Sequence, residues 1–107
     1  MRLIEKLNTL DMMILKSIVL EYDKGNGYTN SKEIIANLKK NIHYINKKVD
    51  YRTVMMRLQH LASLKLIFIK NSKPYMVYLY DAKKSQIRNF VNTYFDLLNI
   101  MEDVLWI

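Results

Sequence analysis

The stretch DYRTVMMRLQHLASLKLIFIK, residues 50–70, contains a change of hydrophobic period, and that change decides the fold class. Asp50 is a good helix N-cap, because its short carboxylate can accept an orphan backbone N–H of the first turn. From Tyr51 to about residue 64, Val54, Leu58 and Leu61 recur at helical spacing, joined by the stem of Lys65. Arg52, Met56, Gln59 and Ser63 fall on the opposite side, with Met55 and His60 flanking. That outer stripe is not the Glu/Lys mixture of an ordinary solvated helix. Residues 66–70 then read as a strand, 71–74 as a turn and 75–80 as a returning strand. Pro74 stands at a strand start, where a missing N–H does least harm.

Upstream, residues 10 to about 22 form a helical pattern through Leu10, Met13, Ile14, Ile18 and either Val19 or Tyr22, with Asn8 or Thr9 as cap. Leu3, Ile4 and Leu7 suggest a helical lead-in. Asp23-Lys24-Gly25-Asn26-Gly27 breaks the chain with both glycines of the protein. Tyr28-Thr29 is a candidate short strand. Ser31 or Asn30 caps a second helix to about residue 39, burying Ile34, Ile35 and Leu38. Residues 39–49 read as a loop, with at most one helical turn near 42–45. Residues 82–107 hold no Gly or Pro and read as one long helix. Its apolar stripe repeats every seven residues at Ile87/Tyr94/Met101, Phe90/Leu97/Val104 and Val91/Leu98/Leu105.

Helix, helix, helix and hairpin, followed by a terminal helix, predict one α+β domain over 1–107, mostly α, in the order of a winged helix-turn-helix. The module spans residues 9–80, and 82–107 is expected to be a dimerisation helix, because its stripe exceeds what one small domain covers. The expected seam is Ile87, Phe90, Val91, Tyr94, Leu97, Leu98, Met101 and Leu105.

Charge sharpens this reading. The net +7 is not spread evenly: residues 30–75 carry ten basic side chains against two acidic ones, while residues 1–29 and 82–107 are each neutral. A basic module between neutral flanks points to a polyanion. The absence of cysteine excludes disulfides and thiolate metal sites. His43 and His60 lie in different elements without clustered carboxylates, so no zinc set and no cofactor is expected. Neither a nucleophile motif nor a Gly-rich phosphate loop occurs, and the chain reads as a non-enzyme. Charges interrupt every apolar stretch of residues 1–6, and no run approaches the ~18 apolar residues of a membrane span. A cytoplasmic protein without membrane contact is expected.

The set Val49-Asp50-Tyr51-Arg52-Thr53-Val54, Arg57-Leu58, Leu61 and Leu64-Lys65-Leu66-Ile67 resembles the recognition helix and following strand of winged helix-turn-helix transcription regulators from archaea, bacteria and their viruses or plasmids. There a Gly-Leu-Ile entry opens the wing. Lys65 stands here in place of that glycine, so the turn is expected to differ slightly. The resemblance covers about residues 10–80, and the added helix resembles that of the PadR-like and MarR-like one-domain groups, which dimerise through it. No single subfamily is singled out.

The resemblance and the helical wheel together imply a homodimeric, sequence-specific regulator of double-stranded DNA. A repressor rather than an activator is expected, because nothing is left over for contacting polymerase. A protein–protein adaptor with the same fold is the alternative. Tyr51, Arg52, Met56 and Gln59 are the base-facing candidates, since Arg pairs with guanine, Gln with adenine, and an apolar tip meets a thymine methyl. Thr53 and Tyr51 equally suit phosphate, which positions without specifying. Lys70 and Lys73 are the wing contacts, and Lys32, Lys39, Lys47 and Lys48 the flanking phosphate contacts.

Overall fold

The computed structural model describes residues 7–25, 27–40, 50–70 and 75–102, with residues 81 and 98–102 described by backbone alone. The elements are α1 (Thr9–Asp23), β1 (Thr29–Asn30), α2 (Ser31–Lys40), α3 (Tyr51–Ser63), β2 (Ile67–Lys70), β3 (Met76–Leu79), a 3-10 turn (Asp81–Lys83) and α4 (Lys84–Glu102). The architecture is α+β and mostly helical, four helices with one small antiparallel sheet of order β1-β3-β2. That layout is compatible with a winged-helix arrangement. The expected loop at 41–49 and the hairpin turn at 71–74 lie outside the described residues.

Helix α1 is the hub. Leu10, Met12, Met13, Ile14, Leu15, Ile18 and Val19 are all buried, more than a one-sided stripe would bury. A helix apolar on most sides must be covered on most sides, and α2, α3, α4 and β3 all pack on it. Its start is a capping box. Asn8 accepts the Asp11 backbone N–H at 2.8 Å, and the Asp11 carboxylate accepts the Asn8 N–H at 3.0 Å. Its end is closed by the Gly25 N–H donating to the Tyr22 carbonyl, with Gly25 at φ +89°, a conformation that glycine adopts freely.

Helix α2 takes Asn30 as its cap: the Glu33 N–H donates to the Asn30 side chain at 2.9 Å. Helix α3 takes Asp50, which accepts from the Thr53 N–H at 2.7 Å. The inner face of α3 is the expected one, Val54, Leu58 and Leu61. At its other end the Lys65 N–H reaches the Ala62 carbonyl at 3.0 Å and the Leu66 N–H reaches Leu61 at 3.2 Å. Those two bonds make a Schellman motif with Lys65 at its left-handed position, φ 59°. The turn expected to differ for want of a glycine therefore keeps the conformation a glycine would take, with lysine bearing the strain.

The sheet is in register Ile67↔Leu79, Phe68↔Tyr78, Ile69↔Val77 and Lys70↔Met76, with Thr29↔Val77 on the other edge. Ile67, Val77 and Leu79 face the core, so Phe68, Lys70 and Tyr78 face outward by alternation.

The terminal helix requires a correction. Ile87 and Val91, expected in a seam between two copies, are buried within this chain, together with Phe95. Phe90 and Tyr94 are partly buried against the same core. The helix lies on α1, where Lys16 donates to the Asn92 side chain at 3.0 Å and Arg88 pairs with Asp23 at 3.0 Å. Lys16 also sits 5.9 Å over the Phe95 ring, and burial there lowers its pKa, offset in part by Asp23 and Asp96. The seven-residue stripe thus records burial against the chain's own first helix over its N-terminal turns. Leu97 alone among the described seam residues is openly exposed, at 54 %. The Leu98 and Met101 side chains and residue Leu105 lie outside what is described. No helix among the described residues is long and apolar enough to cross a membrane.

Candidate nucleic-acid interface

The outer stripe of α3 is built by what holds its inner stripe down. Val54, Leu58 and Leu61 are fully buried against the hub, so residues offset by about half a turn must face solvent. Tyr51 is 53 % exposed and Met56 59 % exposed, with Arg52 and Gln59 also open. Arg52, Met56 and Gln59 stand at i, i+4 and i+7 on one face. At ~1.5 Å per residue they span about 10 Å along the helix, roughly three base-pair steps of a duplex. Thr53 is half-buried, and its backbone N–H is already taken by Asp50.

A second device fixes the rotation of α3. The Arg57 Nε donates to the Asp11 carboxylate at 2.7 Å, and its Nη2 donates to the other carboxylate oxygen. Asp11 is fully buried, whereas the Arg57 side chain keeps 28 % of its surface. The hydrogen bonds to Asp11 hold the guanidinium pKa above its ordinary value, against the desolvation that would lower it. Both oxygens of one buried carboxylate are thereby engaged, one of them also by the Asn8 N–H. This pair ties the start of α1 to the middle of α3. Arg57 is consequently a strut, not part of the exposed cationic surface. Sequence reasoning missed it, since Asp11 and Arg57 are 46 residues apart and each looks like an ordinary surface charge.

The expected lysines distribute unevenly. Lys32 is exposed in the first turn of α2, and Lys39 and Lys40 are exposed in its last turn. Lys70 is exposed at the end of β2, but on the outer sheet face beside Phe68 and Tyr78 rather than on the α3 stripe. Lys47, Lys48, Lys73 and His43 lie outside the described residues. His60 is half-buried. Among the described residues no group of His, Asp and Glu could hold a metal ion.

The outer sheet face carries a feature with no counterpart in the sequence reading. Tyr28, just before β1, Tyr78 on β3 and Phe68 on β2 lie side by side, with ring centroids 5.6 Å apart for Tyr28–Tyr78 and 6.2 Å for Phe68–Tyr78. The signal was the alternation of Phe68 with Ile67 and Ile69, and of Tyr78 with Val77 and Leu79. It was hidden because both faces of the hairpin are apolar.

No protein-family profile, curated protein or solved structure matches the chain.

Proposed function

We propose that the chain is a winged helix-turn-helix regulator that binds double-stranded DNA sequence-specifically by inserting α3 into the major groove. The observation that carries this reading is the outer stripe of α3. Tyr51, Arg52, Met56 and Gln59 are exposed together on a rigidly mounted helix whose 13 residues contain no carboxylate. A major groove admits one helix, and Arg and Gln present the donors that guanine and adenine edges accept. Asp50 at the N-cap is engaged by the Thr53 N–H, and the Asp11 carboxylate that meets the helix is fully buried against Arg57. Lys32 and Lys39 supply phosphate contacts from α2, and Lys70 supplies one from the wing.

The reading includes a homodimer on a two-fold operator. The seam is narrower than the whole stripe, since Ile87 and Val91 serve the chain's own core. It centres on exposed Leu97 and continues along Leu98, Met101 and Leu105, which belong to the same apolar stripe in the sequence. A protein–protein adaptor using the same helix would need an acidic, apolar partner rather than DNA.

Selection of bound sites from random duplexes, followed by titration at several salt concentrations, tests the proposal. The expected result is a recurrent inverted-repeat site, bound at least ~10³-fold more tightly than unrelated duplex. Affinity should fall steeply with salt, and Lys70→Ala should flatten that slope by about one charge. Binding that is equal for all duplexes, or absent at low salt, overturns the proposal and favours the adaptor.

A further inference from the structure

The outer face of the sheet forms a second surface, separate from the α3 stripe. Its centre is the row Tyr28–Tyr78–Phe68, in which Phe68 is 55 % exposed and Tyr28 is also open to solvent. Beside the row lies an open cleft of about 540 Å³, lined by Phe68, Lys70, Tyr78, Leu79 and Tyr80. That volume falls in the range of sites that hold flat organic ligands. Lys70 is the only charged side chain among the described lining residues.

Cross-strand aromatic pairs stabilise sheets on their own, and one such pair would need no further account. Three rings in a row are a larger exposed apolar surface than strand pairing requires. Two of them are tyrosines, whose hydroxyl ends tolerate water, and a lysine stands at their edge without a carboxylate among the described lining residues. Those features together are the elements of a stacking platform. Every unpaired base offers a π-face to an aromatic ring, and a cation beside the rings follows the phosphate backbone.

We propose that this face binds single-stranded nucleic acid, with Phe68 and Tyr28 stacking on successive unpaired bases and Lys70 holding the intervening phosphate. Charge selects this occupant. The chain carries net +7, and an apolar protein segment laid in the cleft would bury the Lys70 ammonium without an anion. A phosphate backbone supplies that anion. A duplex does not fit, since its base faces are stacked inside it. The surface therefore takes unpaired bases; it shares Lys70 with the proposed wing contact to duplex, whereas its stacking rings are separate from the α3 stripe.

The test is fluorescence anisotropy of a labelled oligothymidine of about twelve nucleotides, a length within the site sizes of such platforms. The unmodified chain should bind it, with affinity falling as salt rises. Phe68→Ala and, separately, Tyr28→Ala should each weaken binding about tenfold, whereas Phe68→Tyr, which keeps the ring, should stay within about twofold. Circular dichroism melts identify any variant that fails to fold, and two separate substitutions keep the test decisive. Excess thymidine monophosphate should not displace the oligonucleotide. Four results overturn the proposal: no oligothymidine binding by the unmodified chain, alanine variants that both bind as tightly as the unmodified chain, displacement by the mononucleotide, or a fall in sedimentation mass with Phe68→Ala. The last would make the face a contact between copies. Arg52→Ala serves as the control for the α3 reading, because its loss of duplex binding should leave oligothymidine binding intact.

Discussion

Replacing Asp11 with alanine tests the mounting of α3 more severely than any change on α3 itself. The substitution removes both acceptors of the Arg57 guanidinium and the acceptor of the Asn8 N–H. Breaking a buried ion pair from one side costs roughly 3–5 kcal/mol, because the remaining charge is stranded. The Arg57 side chain retains 28 % exposure and can recover part of its hydration, which places the effect at the low end. Loss of the reciprocal half of the capping box overlaps with that figure rather than adding its full ~1 kcal/mol. The expected destabilisation is about 3 kcal/mol, or a melting shift of roughly 12–20 °C for a domain of this size. Urea unfolding followed by circular dichroism measures it, with an unchanged slope showing that the native state is otherwise intact. Arg57→Met strands the carboxylate instead and should cost a comparable amount. The double variant should fall short of the summed single losses by about 1.5 kcal/mol or more, since residues in one network do not act additively. A loss below about 1 kcal/mol for Asp11→Ala, or strict additivity in the cycle, would refute the strut.

Lys65→Gly should stabilise the chain by roughly 0.5–1 kcal/mol, because glycine relieves the left-handed strain at a modest entropic cost; an unchanged or lower urea midpoint would contradict the Schellman assignment. Thr29→Val should be neutral or stabilising by up to about 1 kcal/mol, since the buried Thr29 hydroxyl has no partner among the described residues; a loss above that size in thermal melts would mean that the hydroxyl is satisfied. Val91→Glu should unfold the domain by placing a charge between α4 and α1, whereas Leu97→Glu should leave the melt nearly unchanged and yield a monomer by sedimentation. Equal effects of the two on folding would place Leu97 in the core.

Much of the fold was legible because it depends on local patterns. Asp50, Val54, Leu58 and Leu61 define α3 from within one segment, and Asn8 and Gly25 mark the ends of α1 in the same way. The stripe of α4 was legible as a buried face, but periodicity does not say what buries it. Ile87, Val91 and Phe95 meet α1, some 70 residues away in sequence, and no local signal distinguishes that helix from a second copy. The Asp11–Arg57 pair was invisible for the same reason. Lys65 shows a different limit: its place in the turn was legible, but the missing glycine suggested an altered turn, whereas lysine tolerates the left-handed conformation at some cost. In the candidate site, the exposed positions of α3 followed directly from its wheel. The aromatic row did not, because Tyr28 joins Tyr78 only through strand pairing across a long connection.

The central claim is that α3 reads bases, and Arg52 in its first turn tests it most directly. The measurement is a titration of the unmodified chain and Arg52→Ala against the selected site, its single-base variants and an unrelated duplex. The account predicts a loss of roughly 1–3 kcal/mol on the selected site, relaxed preference at one base pair per half-site, and a far smaller loss on unrelated duplex. Fold stability should change by no more than about 0.5 kcal/mol, since the side chain is exposed. An equal loss on every duplex would reduce Arg52 to a phosphate contact, and no loss on any of them would contradict the claim that this helix faces DNA.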